Sequence, residues 1–434
     1  PGKPDDPGKP DDPGKPDDPG KPDDPAKPDV PDKPEPKQPD RDIRVQNKEE
    51  TEGTILLEAK SVQNGKTIVD ITVNKKLIES IIKNADKGNK NTILFLISDK
   101  DSDIVRLPLA GNIVKSLEEK GFNISIKRNN MEYNIASSVF KIVKLSQELG
   151  IEESELEDIQ IEIQMEKISD KLTKKYKEIV NKNKSELLVQ PVNFSIKVSW
   201  TKKDGTIKEK SINTFSKFIE IIMEIPAGVD SSKITTGIAF DSHGSYSHIP
   251  TVIFYKNGKW YAKLNSLISS IYSVISNKIE VKSVENHVSK IGINDMASRL
   301  IIKNPNDFEP KGLMTRGEFV EYIIKALGLY STDVAAKNKF TDVKLKNTLY
   351  NAITIAADYG IVKGCKDGTF RPDAYIRIQE AMVIFERTIK IAGLEVAVTN
   401  GMPSTTISPK DILSYSQAAT AIRNLLLEGK LINH

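Results

Sequence analysis

The segment from Phe340 to Pro372 constrains the fold of this 434-residue chain more than any other stretch. It begins with an apolar-acidic FTDV, continues with helical spacing up to Gly360, and closes on the turn GCKDGTFRP. The order of helix, turn and helix recurs upstream at 284–329, and its second half recurs downstream at 407–433. Repeated units of this kind bury their apolar stripes against one another. We therefore expect roughly the last third of the chain to be a bundle of helices.

These segments resemble the S-layer homology (SLH) motif, by which exported proteins of Gram-positive-type cells hold their own wall polysaccharide. MTRGEF at 314–319 is similar to the I-T-R-A-E signature of that family, and FTDV and DGTFRP fit the motif as well. The resemblance implies repeats at 284–329 and 340–394 and a partial repeat at 396–433. It further implies that the region 278–434 is an all-α bundle with pseudo-threefold packing.

The resemblance also implies a site for an acidic secondary wall polysaccharide, typically bearing pyruvate, in the grooves between repeats. A sugar carboxylate calls for a cation, hydrogen-bond donors and a positive helix end, and a helix that opens with Thr-Arg offers all three. Thr315 is the expected N-cap, Glu318 its capping-box partner and Arg316 the cation. Thr315 and Glu318 could equally serve only to cap the helix, so Arg316 is the residue that most needs a ligand.

The other repeats depart from the family pattern. When the second repeat is aligned through Gln379, Ile378 stands where the family has Arg, and Arg377 lies one place earlier. In the third repeat Tyr415 replaces the cation. We therefore expect at most one or two complete grooves.

The FTDV segment and the DGTFRP turn add three candidates for the site. Asp342 and Asp367 are predicted to order the groove through hydrogen bonds, and for both acids a structural role in the turn is an equal alternative. Gly368 is predicted to adopt a positive φ, and Phe370 to fill the core.

Residues 1–42 repeat the hexapeptide PGKPDD, with proline at every third position from Pro1 to Pro34. This period matches the three residues per turn of polyproline II, and nothing in the segment can form a core. We predict a disordered or polyproline II linker that could extend on the order of 120 Å. Because the chain opens inside a repeat, we interpret it as the C-terminal part of a longer secreted protein with an unseen N-terminal module. A proline-rich ligand for a partner domain is the alternative.

The region 43–277 is predicted to be an α+β spacer of one or two small domains. Strand periodicity occurs at 66–73, 91–98, 122–128 and 158–167. Helical spacing occurs at 74–87, 112–121 and 137–150. The pairs Asp204-Gly205 and Asn257-Gly258 predict hairpin turns. The segment from Ile225 to Asn277 resembles a module that often precedes SLH motifs, which implies position but no activity.

Composition excludes several classes of function. The chain has 63 Lys and Arg against 60 Asp and Glu, so a net charge of +3 gives no reason to expect nucleic acid as a partner. The single cysteine, Cys365, excludes an intrachain disulfide and a cysteine-cluster metal site. No apolar run approaches the ~18 residues that a membrane-spanning helix needs. We expect no membrane span and no cofactor.

Few residues could carry catalysis. His243 and His248 lie close to Asp241, but no nucleophile elbow accompanies them, and the segment is typical of a turn between strands. Asp101-Ser-Asp103 resembles the start of a calcium loop without its Gly and distal Glu, which favours a solvated turn.

Two features have both a structural and a binding interpretation. The basic run 171–184 carries apolar residues on an opposite stripe, which favours a solvated amphipathic helix over an anion-binding one. Trp200 and Trp260 could stack on sugars, but tryptophans in hairpins more often belong to the core.

The sequence thus predicts a non-catalytic region of a secreted surface protein, located at the cell wall or S-layer. It would anchor that protein by binding secondary cell-wall polysaccharide through SLH repeats. A self-assembling S-layer subunit is the main alternative, and an adhesin or sugar-binding middle module is the other.

Overall fold

The computed structural model describes residues 42–46, 56–84, 91–202, 204–334, 337–396 and 408–433. The predicted Pro-rich linker at 1–42 lies outside these ranges except for Asp42, where the first strand begins. Residues 397–407, in the partial repeat predicted at 396–433, also lie outside them.

A strand-rich region precedes a helical region. The strands are β1 (Asp42–Gln46), β2 (Leu56–Gln63), β3 (Lys66–Val73), β4 (Thr92–Ile97), β5 (Ile104–Ala110), β6 (Asn123–Arg128), β7 (Met131–Ala136), β8 (Ile159–Lys167), β9 (Glu186–Leu187), β10 (Val192–Thr201), β11 (Ile207–Ile212), β12 (Thr214–Glu224), β13 (Thr236–Phe240), β14 (Tyr246–Ile249), β15 (Thr251–Lys256), β16 (Lys259–Ile268) and β17 (Ser270–Ser276). The helices are α1 (Lys75–Asn84), α2 (Gly111–Glu119), α3 (Ile142–Leu149), α4 (Asp170–Lys182), α5 (Lys290–Ser298), α6 (Arg316–Ala326), α7 (Tyr350–Asp358), α8 (Ile378–Ala392) and α9 (Tyr415–Glu428). A mixed α/β region followed by helices is the order that the sequence predicts.

The strands form where apolar residues alternate with polar ones. In β8, Ile159, Ile161 and Ile163 are buried, whereas the residues between them are half-exposed. The same period of two directs one face of β4 and of β10 into the core. β3, β4, β6 and β8 lie at the four predicted positions, and α1–α3 agree with the predicted helices to within a few residues.

The strands form two sheets that share one core. The seven-stranded sheet has the order β1-β4-β6-β7-β12-β16-β15, and the ten-stranded sheet runs β14-β13-β17-β10-β8-β5-β3-β2, with β11 beside β10 and β9 beside β17. Side chains from both sheets and from α1–α3 belong to one continuous apolar cluster. Because they share this core, the two sheets pack as a single body.

Helix α4 packs on the ten-stranded sheet and forms from the basic run. Tyr176 and Val180 are buried, and the Tyr176 ring stacks 4.0 Å from that of Phe240 on β13. The lysines of the helix are exposed. This arrangement confirms the solvated amphipathic helix that the sequence favours.

Helices α5–α9 enclose a second core. Its buried members include Met296, Phe319, Ile353, Phe385 and Ile422. Leu267 of β16 also belongs to this cluster, so a strand of the strand-rich region contributes to the core of the helical region. Across the described ranges, none of the helices has the length and apolarity that crossing a membrane requires.

Buried polar contacts join the helical region to the strand-rich region. The side-chain amide of Asn277 donates to the Ser298 carbonyl at 2.6 Å and accepts from the Ser185 hydroxyl at 2.9 Å. The amide of Asn433 exchanges two hydrogen bonds with the backbone of Ile253 on the edge strand β15, at 2.8 and 3.2 Å. We call these contacts the seam.

Candidate functional site

Three short extended segments, one before each of α6, α8 and α9, close into a ring. The amide of Met314 donates to the Leu413 carbonyl at 2.9 Å, that of Leu413 to Ile376 at 3.0 Å, and that of Ile376 back to Met314 at 3.0 Å. All three side chains are fully buried. The cyclic order makes Met314, Ile376 and Leu413 equivalent positions in three neighbouring segments.

The first helical residues link the same three segments in the opposite direction around the ring. Each of their amides donates to a carbonyl of the next segment: Arg316 to Ala374 at 2.8 Å, Ile378 to Asp411 at 3.0 Å, and Tyr415 to Gly312 at 3.0 Å. Arg316, Ile378 and Tyr415 are therefore equivalent, as the sequence alignment predicts.

The second residues of these helices are satisfied in the same way. Their amides donate to three prolines: Gly317 to Pro372 at 2.9 Å, Gln379 to Pro409 at 3.0 Å, and Ser416 to Pro310 at 3.1 Å. The first N–H groups of a helix are the ones that usually bind an anion. Here carbonyls of the neighbouring segments already accept from them, so these N–H groups are not available to a bound carboxylate.

Arg316 is engaged inside the chain. Its Nη1 lies 2.9 Å from Glu380 Oε1, its Nε donates to the Phe370 carbonyl at 3.1 Å, and its guanidinium lies 5.1 Å from the centre of the Phe370 ring. The side chain is 14% exposed. The sequence predicts that Arg316 is a cation that needs a ligand, but the structure provides it with an internal partner, Glu380.

Thr315 and Glu318 form the predicted capping box. The Thr315 hydroxyl accepts from the Glu318 amide at 3.3 Å, and the Glu318 carboxylate accepts from the Thr315 amide at 2.9 Å. The same carboxylate accepts from the Tyr415 hydroxyl at 2.6 Å. Burial, together with this hydrogen bond, raises the pKa of Tyr415 above its usual value. Tyr415 thus contacts the capping acid of α6 as Arg316 contacts that of α8.

The two acids predicted to order the groove are bound within the turn. Asp342 accepts from the amides of Phe370 and Arg371 at 2.8 and 2.7 Å. Asp367 accepts from the Thr369 amide at 3.0 Å and from Arg371 Nη2 at 2.9 Å. The Thr369 hydroxyl also donates to Asp367 at 2.6 Å. This hydrogen bond, followed by those from Arg371 and the Thr369 amide, lowers the pKa of Asp367 below its usual range.

Gly368 has the predicted positive φ, +80°, which side chains with a Cβ rarely adopt. Phe370 is fully buried, as predicted.

Arg377 has an exposed side chain, as does Asp367, but Asp367 is paired with Arg371. Arg377 is the N-cap of α8, and its own amide donates to Glu380 Oε2 at 3.0 Å. Within the described ranges its guanidinium takes part in no ion pair. The structure therefore brings Arg316, Glu380 and Arg377 to one edge of the ring, with Arg377 facing solvent.

A surface hollow of about 570 Å³ lies on the Tyr415 side of the ring. It is lined by Lys282, Ser283, Glu285, Asn286, His287, Phe308, Glu309, Pro310, Lys311 and Gly312. The sequence identifies none of these residues as site residues. In the sequence, the F-x-P pattern from Phe308 to Pro310 is the feature that coincides with this hollow.

The other candidate sites of the sequence do not form. His248 is buried with its Nδ1 2.7 Å from Thr236 Oγ1, and burial, with a smaller contribution from Arg299, lowers its pKa well below the usual value. His243 instead lies 3.2 Å from Asp333, in the helical region. The described residues contain no group of His, Cys, Asp and Glu suited to a metal.

The carbonyl groups of the calcium-like loop bind a lysine side chain of the protein. Lys167 Nζ donates to the carbonyls of Lys100 and Asp101 at 3.0 and 2.9 Å. The Asp103 carboxylate accepts from the amide and hydroxyl of Thr67. A solvated structural turn, as the sequence favours, accounts for this segment.

The two tryptophans are half-buried and pack against the first core. Trp260 also contacts Tyr255 across the β15–β16 hairpin, at 5.2 Å between ring centres. Both tryptophans therefore pack in the core, which is one of the two roles that the sequence leaves open, the other being stacking on sugars.

Comparison with known proteins identifies a portion of the chain. Residues 339–380 match the family model of the S-layer homology domain. Exoglucanase XynX of Acetivibrio thermocellus is 27% identical over 185 residues, covering 35% of this chain and 17% of that protein. Middle cell wall protein of Brevibacillus brevis is 28% identical over 120 residues, covering 27% of this chain and 11% of that protein.

The chain thus spans less than a fifth of either relative. The matched segment contains FTDV with Asp342, the turn with Asp367 and Gly368, and Arg377, the N-cap of α8. An S-layer homology domain is a non-catalytic anchor at the cell surface. The match identifies residues 339–380 as an S-layer homology domain, and it supports a location of this chain at the cell surface.

Proposed function

We propose that this chain anchors a surface protein to the cell wall by binding secondary cell-wall polysaccharide through SLH repeats. The observation that carries the proposal is the S-layer homology domain at 339–380, set in a ring of three equivalent helix starts. The binding is non-covalent and needs no cofactor, so the chain acts as an attachment region and not as an enzyme.

The ring supports a division of the helical region into repeats at 284–329, 340–394 and 396–433 around a pseudo-threefold axis. In that arrangement each helix start is completed by carbonyls of the next repeat. The region 43–277 then serves as a spacer, and residues 1–42 as a linker to an N-terminal module that would be displayed outside the wall.

The predicted glycan-binding set divides into two roles in this geometry. Six of its members hold the ring and the turn in shape: Thr315, Arg316, Glu318, Asp342, Asp367 and Gly368. The seventh, Arg377, is exposed and free to meet a carboxylate such as the ketal-linked pyruvate of a wall glycan.

Sedimentation with wall sacculi tests the proposal. The 434-residue chain should sediment with native sacculi and stay in the supernatant after the secondary polysaccharide has been stripped from them by acid. Equal sedimentation before and after stripping would contradict polysaccharide binding. Ordered assembly of the purified chain without glycan, at rising concentration, would favour the S-layer subunit instead.

A further inference from the structure

The ring has an outward face made of six side chains. Three bridges join its segments: Leu313 with Ser414, Thr315 with Tyr375, and Arg377 with Ile412. Residues paired across such a bridge point to the same side, and so do residues two apart in an extended segment. Since Met314, Ile376 and Leu413 point inward, these six side chains share the opposite face, which we call the outer ring.

The outer ring exposes apolar surface. Tyr375 is 55% exposed and Leu313 46% exposed, and Ile412 occupies the third equivalent position. Large apolar side chains are common on protein surfaces as single residues, but a set at equivalent positions of one ring marks a contact surface.

The polar members of the outer ring are the three N-caps. Thr315 and Ser414 use their hydroxyls to accept from the third amide of α6 and α9, in each case at 3.3 Å. Arg377 has no acceptor to offer, and the corresponding amide, that of Glu380, donates to the Arg377 carbonyl instead. Hydroxyl side chains stabilise a helix at this position and arginine does not. The second repeat therefore gives up a side-chain cap and presents a cation in its place.

The partners of Arg377 leave its charge available. Glu380, the nearest acid along the chain, is already shared between the Arg316 guanidinium and the Arg377 amide. Next to Arg377 on the same face lies the exposed ring of Tyr375. A cation beside a flat apolar ring suits a ligand that has a flat C–H face and a negative charge.

We propose that Tyr375 and Arg377 form a binding site for an anionic sugar residue of the wall polysaccharide. The Tyr375 ring stacks on the sugar ring, and the Arg377 guanidinium pairs with its acidic group. This inference rests on the proposed function and adds to it the outer ring as the place of contact and Tyr375 as a binding residue.

The decisive variant is Arg377→Ser. It gives α8 the same N-cap residue as α9, which has Ser414, and a hydroxyl like that of Thr315 before α6. It should raise the melting temperature of the full chain while weakening its affinity for released wall polysaccharide by about tenfold or more, the scale of one charge-assisted hydrogen bond. Tyr375→Ala should weaken binding by about threefold to tenfold, the scale of one stacking contact, with little change in melting temperature. Titration calorimetry and thermal unfolding measure the two effects.

Matched controls keep the test specific. Arg387→Ser removes the same charge from elsewhere on α8, and Tyr255→Ala removes a ring that is also 55% exposed, on β15. Both should bind polysaccharide as the parent chain does. A neutral glucan should bind neither the parent nor the variants.

The outcomes separate this inference from the function on which it rests. If the parent chain fails to bind the polysaccharide, the proposed function is wrong. If the parent binds and both Arg377→Ser and Tyr375→Ala bind equally well, the outer ring is not the site. If the two variants change the oligomeric state and not the affinity, the outer ring contacts a second copy of the chain, which also overturns the inference.

Discussion

Most charged side chains around the ring make contacts within the chain that fix its segments in place. Arg316 is the clearest case. Its guanidinium contacts Glu380 and the Phe370 carbonyl, so it joins α6 to α8 and to the turn before it. A family signature marks such a residue as important, but the signature does not say whether its partner is a ligand or another segment of the chain.

Arg316→Ala should destabilise the chain by about 2 kcal/mol, because the capping acid Glu380 loses a charge-assisted hydrogen bond and Phe370 loses a cation above its ring. Urea unfolding measures the effect. Polysaccharide affinity should fall less than in Arg377→Ser. A variant with unchanged stability and abolished binding would show that Arg316 contacts the ligand directly.

Asp367 gives a prediction about acid. Its pKa in the folded chain lies below the usual value, so its contribution to stability is complete above the pKa of the unfolded chain, about 3.9, and is lost as the pH falls through and below that value. Asp367→Asn should therefore lower the melting temperature at pH 7. The difference in melting temperature between this variant and the parent chain should be smaller near pH 3. Thermal unfolding over this range measures it, and a constant difference would contradict it.

At the scale of elements, α5 and α9 are joined through one carboxylate. Asp295 lies 2.8 Å from Arg299, the C-cap residue of α5, and 2.7 Å from Arg423 on α9, and both arginine side chains are largely buried. Removing the acid leaves two cations without their partner in a poorly solvated place.

Asp295→Ala should cost about 2 kcal/mol of unfolding free energy, since some solvent still reaches the site. Glu285→Ala is the matched control, because its pair with Lys290 is more exposed and should contribute well below 1 kcal/mol, as surface pairs do. Chemical denaturation of the two variants tests the difference. Equal losses would mean that the α5–α9 contact does not depend on this ion pair.

On the scale of the whole molecule, the seam predicts that the two regions unfold together. Asn277 bonds Ser185 in the strand-rich region and Ser298 in the helical region, so Asn277→Ala should leave buried polar groups unpaired and lower the unfolding free energy by about 2 kcal/mol.

In the parent chain, fluorescence of Trp200 and Trp260, both in the strand-rich region, and circular dichroism should report one coincident unfolding transition. Two separated transitions would show that the regions are independent.

The sequence by itself determined the elements and the type of domain. Strands at period two and helices at SLH spacing follow from local patterns, so β3, β8 and the capping box of Thr315 were predictable from neighbours along the chain. The alignment of Arg316 with Ile378 and Tyr415 was equally available, because it needs only the repeat.

Only the tertiary structure decided which charges are free. The partners of Arg316, Tyr415 and the calcium-like loop lie far away in sequence, at Glu380, Glu318 and Lys167. The sequence holds no pattern that links such residues, since their distance depends on how the repeats and sheets pack. For the same reason the seam, and the exposure of Tyr375 beside Arg377, appear only when the ring closes and turns three separate segments into one face.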